Sequence, residues 1–193
     1  MVNKLPDKYE CPVDLYLLKF INTHLHVYYE LGLTPNIITT FSIIFGFLSA
    51  YQILKNNFLI AAVFMLVAYY FDCVDGKLAR KYNMITKFGD VYDHVGDVLK
   101  VLVIMYALFS ITKKISKRQF IYIGIIVVLG FLQVIHFGYQ ETIYKKEESG
   151  CLSIWKTLVI FDKTPEKSIC YTKYFGCGTW ILCFALLIIF WRK

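Results

Sequence analysis

Asp72-Cys73-Val74-Asp75-Gly76-Lys77-Leu78-Ala79-Arg80 is followed, after eight residues, by Gly89-Asp90-Val91-Tyr92-Asp93-His94-Val95-Gly96-Asp97. Asp72 and Asp75 are three residues apart, and Gly89, Asp93 and Asp97 follow one another at intervals of four. At about 100° per residue, each set forms one stripe on one face of a helix. Apolar runs flank the stretch on both sides. An ionisable group within a membrane span costs roughly 2.5–3.5 kcal/mol unless it faces a polar cavity. Four carboxylates beside membrane-length segments therefore call for a cation, and the fold must gather them.

Working outward, the chain has 193 residues, 58% of them hydrophobic and 18% aromatic. Such a composition excludes intrinsic disorder and is far from that of an ordinary soluble domain. The apolar residues fall in blocks near the 20 or so that a spanning helix needs. Five spans are predicted, at about 35–54, 58–80, 89–112, 119–140 and 174–191. The second has too short an apolar part to cross alone, so Asp72 and Asp75 complete it inside the membrane boundary. The piece 151–161, within the polar section 141–173, is apolar but too short to cross. A sixth, partial span there is the open alternative. The fold class is thus all-α: a polytopic membrane bundle of five or six transmembrane helices. Residues 1–33 carry an amphipathic surface helix over 13–31, with Pro12 in its first turn and Gly32 as a left-handed cap. Residues 34–193 form the transmembrane domain, opened by Thr34 as N-cap and Pro35 as first helical residue.

The formal net charge is +7. Its basic residues sit between the apolar blocks, which suits lipid headgroups and topology rather than nucleic acid. Thirteen lie on the side of the acidic stretch: Lys4, Lys8, Lys19, Lys77, Arg80, Lys81, Lys87, Lys145, Lys146, Lys156, Lys163, Lys167 and Lys173. Seven lie opposite: Lys55, Lys113, Lys114, Lys117, Arg118, Arg192 and Lys193. The richer side is expected to face the cytoplasm. The six cysteines form no CxxC pair and read as small buried hydrophobes.

If the two stripes return antiparallel across residues 81–88, all four carboxylates converge on one pocket. Magnesium favours oxygen ligands, a few carboxylates together with substrate phosphates, and two such ions would draw in a diphosphate. Gly76 and Ala79 keep one wall low and Gly89 the other. Arg80 offers a planar fork for phosphate oxygens, and Thr86 a hydroxyl.

These residues reproduce a known signature. The chain resembles the CDP-alcohol phosphotransferase family, whose pattern is DxxDGxxAR, eight residues, GxxxDxxxD. Its eight defining positions are all present, and Leu33-Thr34-Pro35-Asn36 is similar to the family's opening of its first span. The resemblance implies attack by an alcohol on the phosphate of a CDP-linked alcohol distal to cytidine, with release of CMP. It implies that Asp72, Asp75, Asp93 and Asp97 bind two divalent cations, Mg2+ or Mn2+. Asp97 would also take the proton of the attacking hydroxyl. Asn36, Thr39, Gly76, Ala79, Arg80, Thr86 and Gly89 would contact the CDP moiety. One of the two substrates is a lipid, the site faces the cytoplasm and opens laterally to the bilayer, and relatives that dimerise suggest a homodimer. The favoured version transfers phosphatidyl from CDP-diacylglycerol to a small polar alcohol. Asp93-His94 keeps open a transfer from CDP-choline or CDP-ethanolamine to diacylglycerol.

Blander readings stand beside these. The acids can form a buried ion-pair network with Arg80 and Lys100, or mark an ion or proton path. A non-catalytic lipid-binding or ion-conducting protein is then the alternative. Lys100 pairs with Asp97 along its helix or meets an anionic acceptor. Lys163 and Lys167 form part of an acceptor pocket or a solvated face. His94 is expected to hydrogen-bond at the helix surface, and His136 to be a satisfied packing residue.

Overall fold

The structure, a computed structural model, describes residues 6–144 and 151–192. Among these residues the regular structure is entirely helical. Seven α-helices run Pro12–Glu30 (α1), Pro35–Leu54 (α2), Phe58–Lys81 (α3), Lys87–Ser110 (α4), Lys117–Tyr144 (α5), Pro165–Thr172 (α6) and Cys177–Phe190 (α7). Lys4, Lys145, Lys146 and Lys193 of the charge count lie outside the described residues.

The first three helices end in the same way. Gly32, Asn56 and Asn83 have φ of 70°, 63° and 56°. Each follows a helix whose last carbonyls are taken up by the residues just beyond: Leu33 N to Tyr28 O (3.1 Å), Asn57 N to Gln52 O (2.9 Å) and Met84 N to Ala79 O (2.8 Å). This is the left-handed closure that glycine and asparagine accept at low cost. Starts are set equally locally. Thr34 accepts from Ile37 N ahead of Pro35, and Thr86 accepts from Gly89 N at 2.9 Å, which moves the start of α4 to Lys87 from the predicted 89.

α2 and α3 form a tight antiparallel hairpin. Ser49 Oγ donates to Ala61 O and Ser42 Oγ to Ala68 O, both at 2.8 Å. Seven residues forward on one helix match seven backward on the other. In an apolar medium, helix association rests on close packing of small residues and on such hydroxyl bonds. Ser42, Gly46, Ser49 and Ala50 of α2, with Ala61, Ala62 and Ala68 of α3, supply both. α2 also packs along α4, whereas α3 and α4 approach each other far less than either approaches α2. The helices that carry the two acidic stripes are thus bridged by a third.

α1 docks on α2 and α3. Ile21 and Leu25 are fully buried with Ile38, Val74 and Leu78, while Tyr16 and Phe20 stay exposed. A buried polar contact anchors its start: Tyr69 donates to the Asp14 carboxylate. Gly178 at the start of α7 faces Asp14 and Val13, and a side chain there would collide with both. A second apolar cluster, holding Ile53, Met65, Leu108, Phe184, Ile188 and Trp191, fills the opposite end of the bundle. The acidic stretch lies between these clusters.

Among the described residues, four helical stretches are long and apolar enough to cross a membrane: Pro35–Leu54, Phe58–Lys81, Lys117–Ile143 and Pro165–Phe190. The predicted span 89–112 corresponds to α4, whose 24 residues have the length, about 36 Å, but which carries Asp90, Asp93, Asp97 and Lys100. The predicted span 174–191 begins earlier and is interrupted. α6, a 3₁₀ turn at Lys173–Phe175 and α7 follow one another, with the break at Gly176. The piece at 151–161 is shorter than a crossing helix. Cys151–Val159 is a nine-residue 3₁₀ helix, about 18 Å long, packed against α5 at Gly138.

Candidate functional site

The site is built by three helices. Asp72 on α3 and Asp93 and Asp97 on α4 each present one carboxylate oxygen, and the three oxygens lie within 4.8 Å of one another. Asp75 is 3% exposed and is held differently: its Oδ2 accepts from Thr39 Oγ1 of α2 at 2.5 Å. The expected single convergence of four carboxylates is therefore a group of three, with the fourth tied to α2. α2 packs against both α3 and α4 and takes up the Asp75 carboxyl through Thr39. Asp93 Oδ1 is buried and has no hydrogen-bond partner among the described residues. A buried carboxylate oxygen without a donor is costly. A hard cation with oxygen ligands is the group that this donor set suits.

Lys100 completes the cluster. Its ammonium lies 2.8 Å from Asp72 Oδ1, 2.8 Å from Asp97 Oδ1 and 2.6 Å from Ser42 Oγ. The pair with Asp97 is the i,i+3 contact that its spacing predicts; the reach to α3 and α2 is not apparent from spacing. All three ammonium hydrogens are engaged inside the cluster, so Lys100 is not presented to an acceptor here. Exposure is uneven: the side chain of Asp97 is 46% exposed, that of Asp72 18%. Asp97 is the more accessible of the two.

Asn36, Thr86 and Gly89 meet at one end of the site. A Cβ on Gly89 would lie 2.9 Å from Thr86 Oγ1 and 3.0 Å from Asn36 Oδ1, so glycine is what lets the start of α4 approach the start of α2. Gly76 does the same for Arg80: a Cβ there would sit 3.2 Å from the guanidinium. The guanidinium thus folds back over its own helix. Ala79 is half-buried one residue before it. His94 Nδ1 lies 2.6 Å from Asp90 O, within its own helix and outside the carboxylate group. His136 is fully buried and bonded to Thr172 and Gln140.

Lys167 belongs to another place. With Lys163, Glu166, Thr142 and Ile143 it lines a cavity of about 440 Å³ between α5 and α6, whereas the carboxylates lie among α2, α3 and α4. Beside this cavity, hydrogen bonds from the Ser168 side chain, Thr164 N–H and Tyr139 hold the Asp162 carboxyl down to about 2.

Ser42 and Gly46 meet Lys100 beside the carboxylates and are positions that the sequence reading passes over. Asn36, Thr39, Ser42 and Gly46 follow one another at intervals of three, three and four, a single face of α2. That stripe of small and polar residues in an apolar helix was the available signal. Gly96 on α4 belongs to the same contact, since a Cβ there would lie 2.8 Å from Ile43.

The sequence matches the CDP-alcohol phosphatidyltransferase family over residues 32–191, which takes in all of α2–α7, and the chain belongs to that family. It is similar to archaetidylinositol phosphate synthase of Pyrococcus horikoshii, with 31% identity over 79 residues, 41% of this chain and 42% of that protein. It is also similar to the CDP-diacylglycerol–serine O-phosphatidyltransferase of Helicobacter pylori, with 27% identity over 110 residues, 56% of this chain and 46% of that one. Each match spans less than half of the relative's length. No solved structure matches the chain.

Proposed function

We propose that the protein is an integral membrane transferase that moves a phosphatidyl group from CDP-diacylglycerol to a small polar alcohol, releasing CMP. The observation that carries this reading is the meeting of Asp72, Asp93 and Asp97 from two helices within 4.8 Å, at the signature of a family to which the chain belongs. Both relatives named above act, by their names, in phospholipid-type transfers, and one of them uses CDP-diacylglycerol.

Asp72, Asp93 and Asp97, with Asp75 beside them, would hold two divalent cations. When bound, these supply charge neutralisation for the diphosphate and the leaving CMP. The chain's own residues bind and orient. Asn36, Thr86 and Gly89 form the narrow end that receives the cytidine side, Thr39 fixes Asp75, and the Arg80 fork meets phosphate oxygens. Asp97, more accessible than Asp72, accepts the proton of the acceptor hydroxyl. The acceptor oxygen then bonds to the phosphorus distal to cytidine, and the bond from that phosphorus to the bridging oxygen breaks, its electron pair leaving with CMP. General base assistance of this kind contributes about 10²–10⁴-fold.

With α4 counted as crossing, there are five spans. The excess of basic residues on the side of the carboxylates supports a site facing the cytoplasm. The exposed Asp97 supports a lateral opening through which the lipid enters, and a homodimer is in keeping with the family. Lys163 and Lys167 at the α5–α6 cavity are the remaining candidates for contact with an anionic acceptor.

The experiment is incubation of the purified protein, in liposomes with Mg2+ or Mn2+, with each CDP-alcohol and a panel of acceptors, scored by CMP and product mass. CMP release with CDP-diacylglycerol that stops in chelator and returns with metal is expected. Release only with CDP-choline or CDP-ethanolamine and diacylglycerol would move the assignment to the reverse arrangement of lipid and headgroup. No CMP with any pair would end the enzymatic reading.

A further inference from the structure

We infer that Lys100 is a built-in cation of this site, a positioning residue whose ammonium joins Asp72 of α3 to Asp97 of α4 and competes with a divalent ion for those two carboxylates. The inference deepens the metal-dependent reading above and rests on it. Three observations support it, none of which a casual ion pair would need.

First, the ammonium is shared. It stands at 2.8 Å from both carboxylates, one on its own helix and one on the neighbour. The backbones of α3 and α4 approach each other little, so this cation is one of the few links that draw their like-charged faces together. Second, the lysine is largely withdrawn from solvent, its side chain 12% exposed. An ammonium at that depth is costly unless it is paired and fully hydrogen-bonded, and two carboxylates and a hydroxyl meet that demand. Third, α2 carries a slot for it. A Cβ on Gly46 would lie 2.5 Å from Lys100 Cγ and 3.1 Å from its Cβ and Cδ, so the lysine stem runs where the glycine has no side chain. One turn earlier, the buried Ser42 hydroxyl gives its proton to Ala68 O and so turns a lone pair to the ammonium. An ordinary i,i+3 pair on a helix surface requires neither a glycine nor a buried hydroxyl on a neighbouring helix.

The consequence follows from charge. With the ammonium in place, Asp72 and Asp97 carry a single net negative charge between them, and the carboxylates stay gathered when no metal is bound. A divalent ion that takes up oxygens of both residues has to share them with Lys100 or displace it. Removing the charge should have opposite effects on two observables: tighter metal binding and a less stable metal-free fold. An opposite charge within a few ångströms changes a carboxylate's proton affinity by roughly one to three powers of ten. A divalent ion couples to the same charge more strongly than a proton does.

The test uses the full chain in detergent micelles at fixed pH and ionic strength. Free Mn2+ is titrated by electron paramagnetic resonance, and thermal unfolding is followed in chelator and in saturating Mn2+. Lys100→Met should bind Mn2+ at least about tenfold more tightly than the wild type. It should melt lower in chelator, with most of the loss restored by Mn2+. Gly46→Ala keeps the charge but pushes the stem out of its slot, and should shift both readouts in the same direction by less. Lys100→Met with wild-type or weaker Mn2+ affinity, or with an unchanged melting temperature in chelator, would overturn the inference. If Lys100→Met does not fold, Gly46→Ala decides, and unchanged Mn2+ affinity in that variant is equally fatal. Failure here differs from failure of the functional reading. A wild type that releases CMP while the variants bind Mn2+ normally sinks only the lysine. A wild type that binds Mn2+ but releases no CMP sinks only the reaction.

Discussion

Thr39 Oγ1 lies 2.5 Å from Asp75 Oδ2, and both residues are 3% exposed. The same hydroxyl is 3.1 Å from Pro35 O. It has one proton to give, and the shorter contact to a charged acceptor takes it. This bond fixes the carboxylate that stands apart from the other three. Replacing Thr39 with Val keeps the shape and removes the donor, leaving Asp75 with a buried oxygen unmet, at a cost of about 1–3 kcal/mol. The variant is expected to melt lower and to lose most CMP release. Thr39→Ser, which keeps the hydroxyl, should retain both. Thermal unfolding and product assays on the two variants check this; equal damage in both would remove the bond from the account.

Asp97 combines membership of the carboxylate group with a side chain 46% exposed, the position a proton acceptor needs. Asp97→Asn should lower kcat by about 10²–10⁴ while leaving helix content by circular dichroism unchanged. Asp93→Asn, which alters the buried oxygen that has no donor, should instead raise the Mn2+ concentration needed for half-maximal activity. If Asp97→Asn acts only through metal demand, with kcat restored at high Mn2+, the residue is a ligand and not the base.

Much of this site was legible because its determinants are local. The cap at Thr34 and the left-handed closure at Gly32 involve residues within one turn of one another, whereas the cap at Thr86 went unread. The acidic stripes follow from spacing alone. What could not be read depends on which helix lies beside which. Spacing says that Asp72 and Asp75 share a face, but not that α2 packs on both helices and engages Asp75 through Thr39. Nor does it say that Gly46 makes the slot for Lys100. The break in the last span was unreadable for a related reason: its hydropathy is continuous, while Gly176, extended at φ −67° and ψ 177°, breaks the backbone where α7 meets Cys11 and Asp14 of the α1 region. Hydropathy measures transfer to lipid and is silent on a break that tertiary packing requires.

Gly89 offers a substitution in which local and tertiary effects oppose each other. Alanine at a helical position gains up to about 1 kcal/mol over glycine. Its Cβ at 2.9 Å from Thr86 Oγ1 disturbs a cap worth about 1 kcal/mol. These terms nearly cancel, so Gly89→Ala should melt close to the wild type. The displaced Asn36 and Thr86 side chains no longer offer the same narrow end to the nucleotide. Loss of one hydrogen bond there, about 1.4 kcal/mol, would raise KM for the CDP-alcohol about tenfold. An unchanged KM would show that the cytidine does not lie at this end.

Asp14, at the start of α1, gives the fold a pH dependence of known sign. Burial pushes its carboxyl up to about 6, against the opposing effect of hydrogen bonds from Tyr69 and Gly178 N–H. A carboxyl raised in the folded state favours folding when protonated. Its contribution is fully present below about pH 4 and is lost as pH rises through about 6. At 1.36 kcal/mol per pH unit, the wild type should lose up to about 3 kcal/mol between pH 4 and pH 7 from this group. Asp14→Asn stays neutral throughout, so the difference between wild-type and variant melting temperatures should widen from pH 5 to pH 7.5 in favour of the variant. The two curves are compared because other groups also titrate over this range; a difference that does not change with pH would mean that α1 holds Asp14 ionised at no cost.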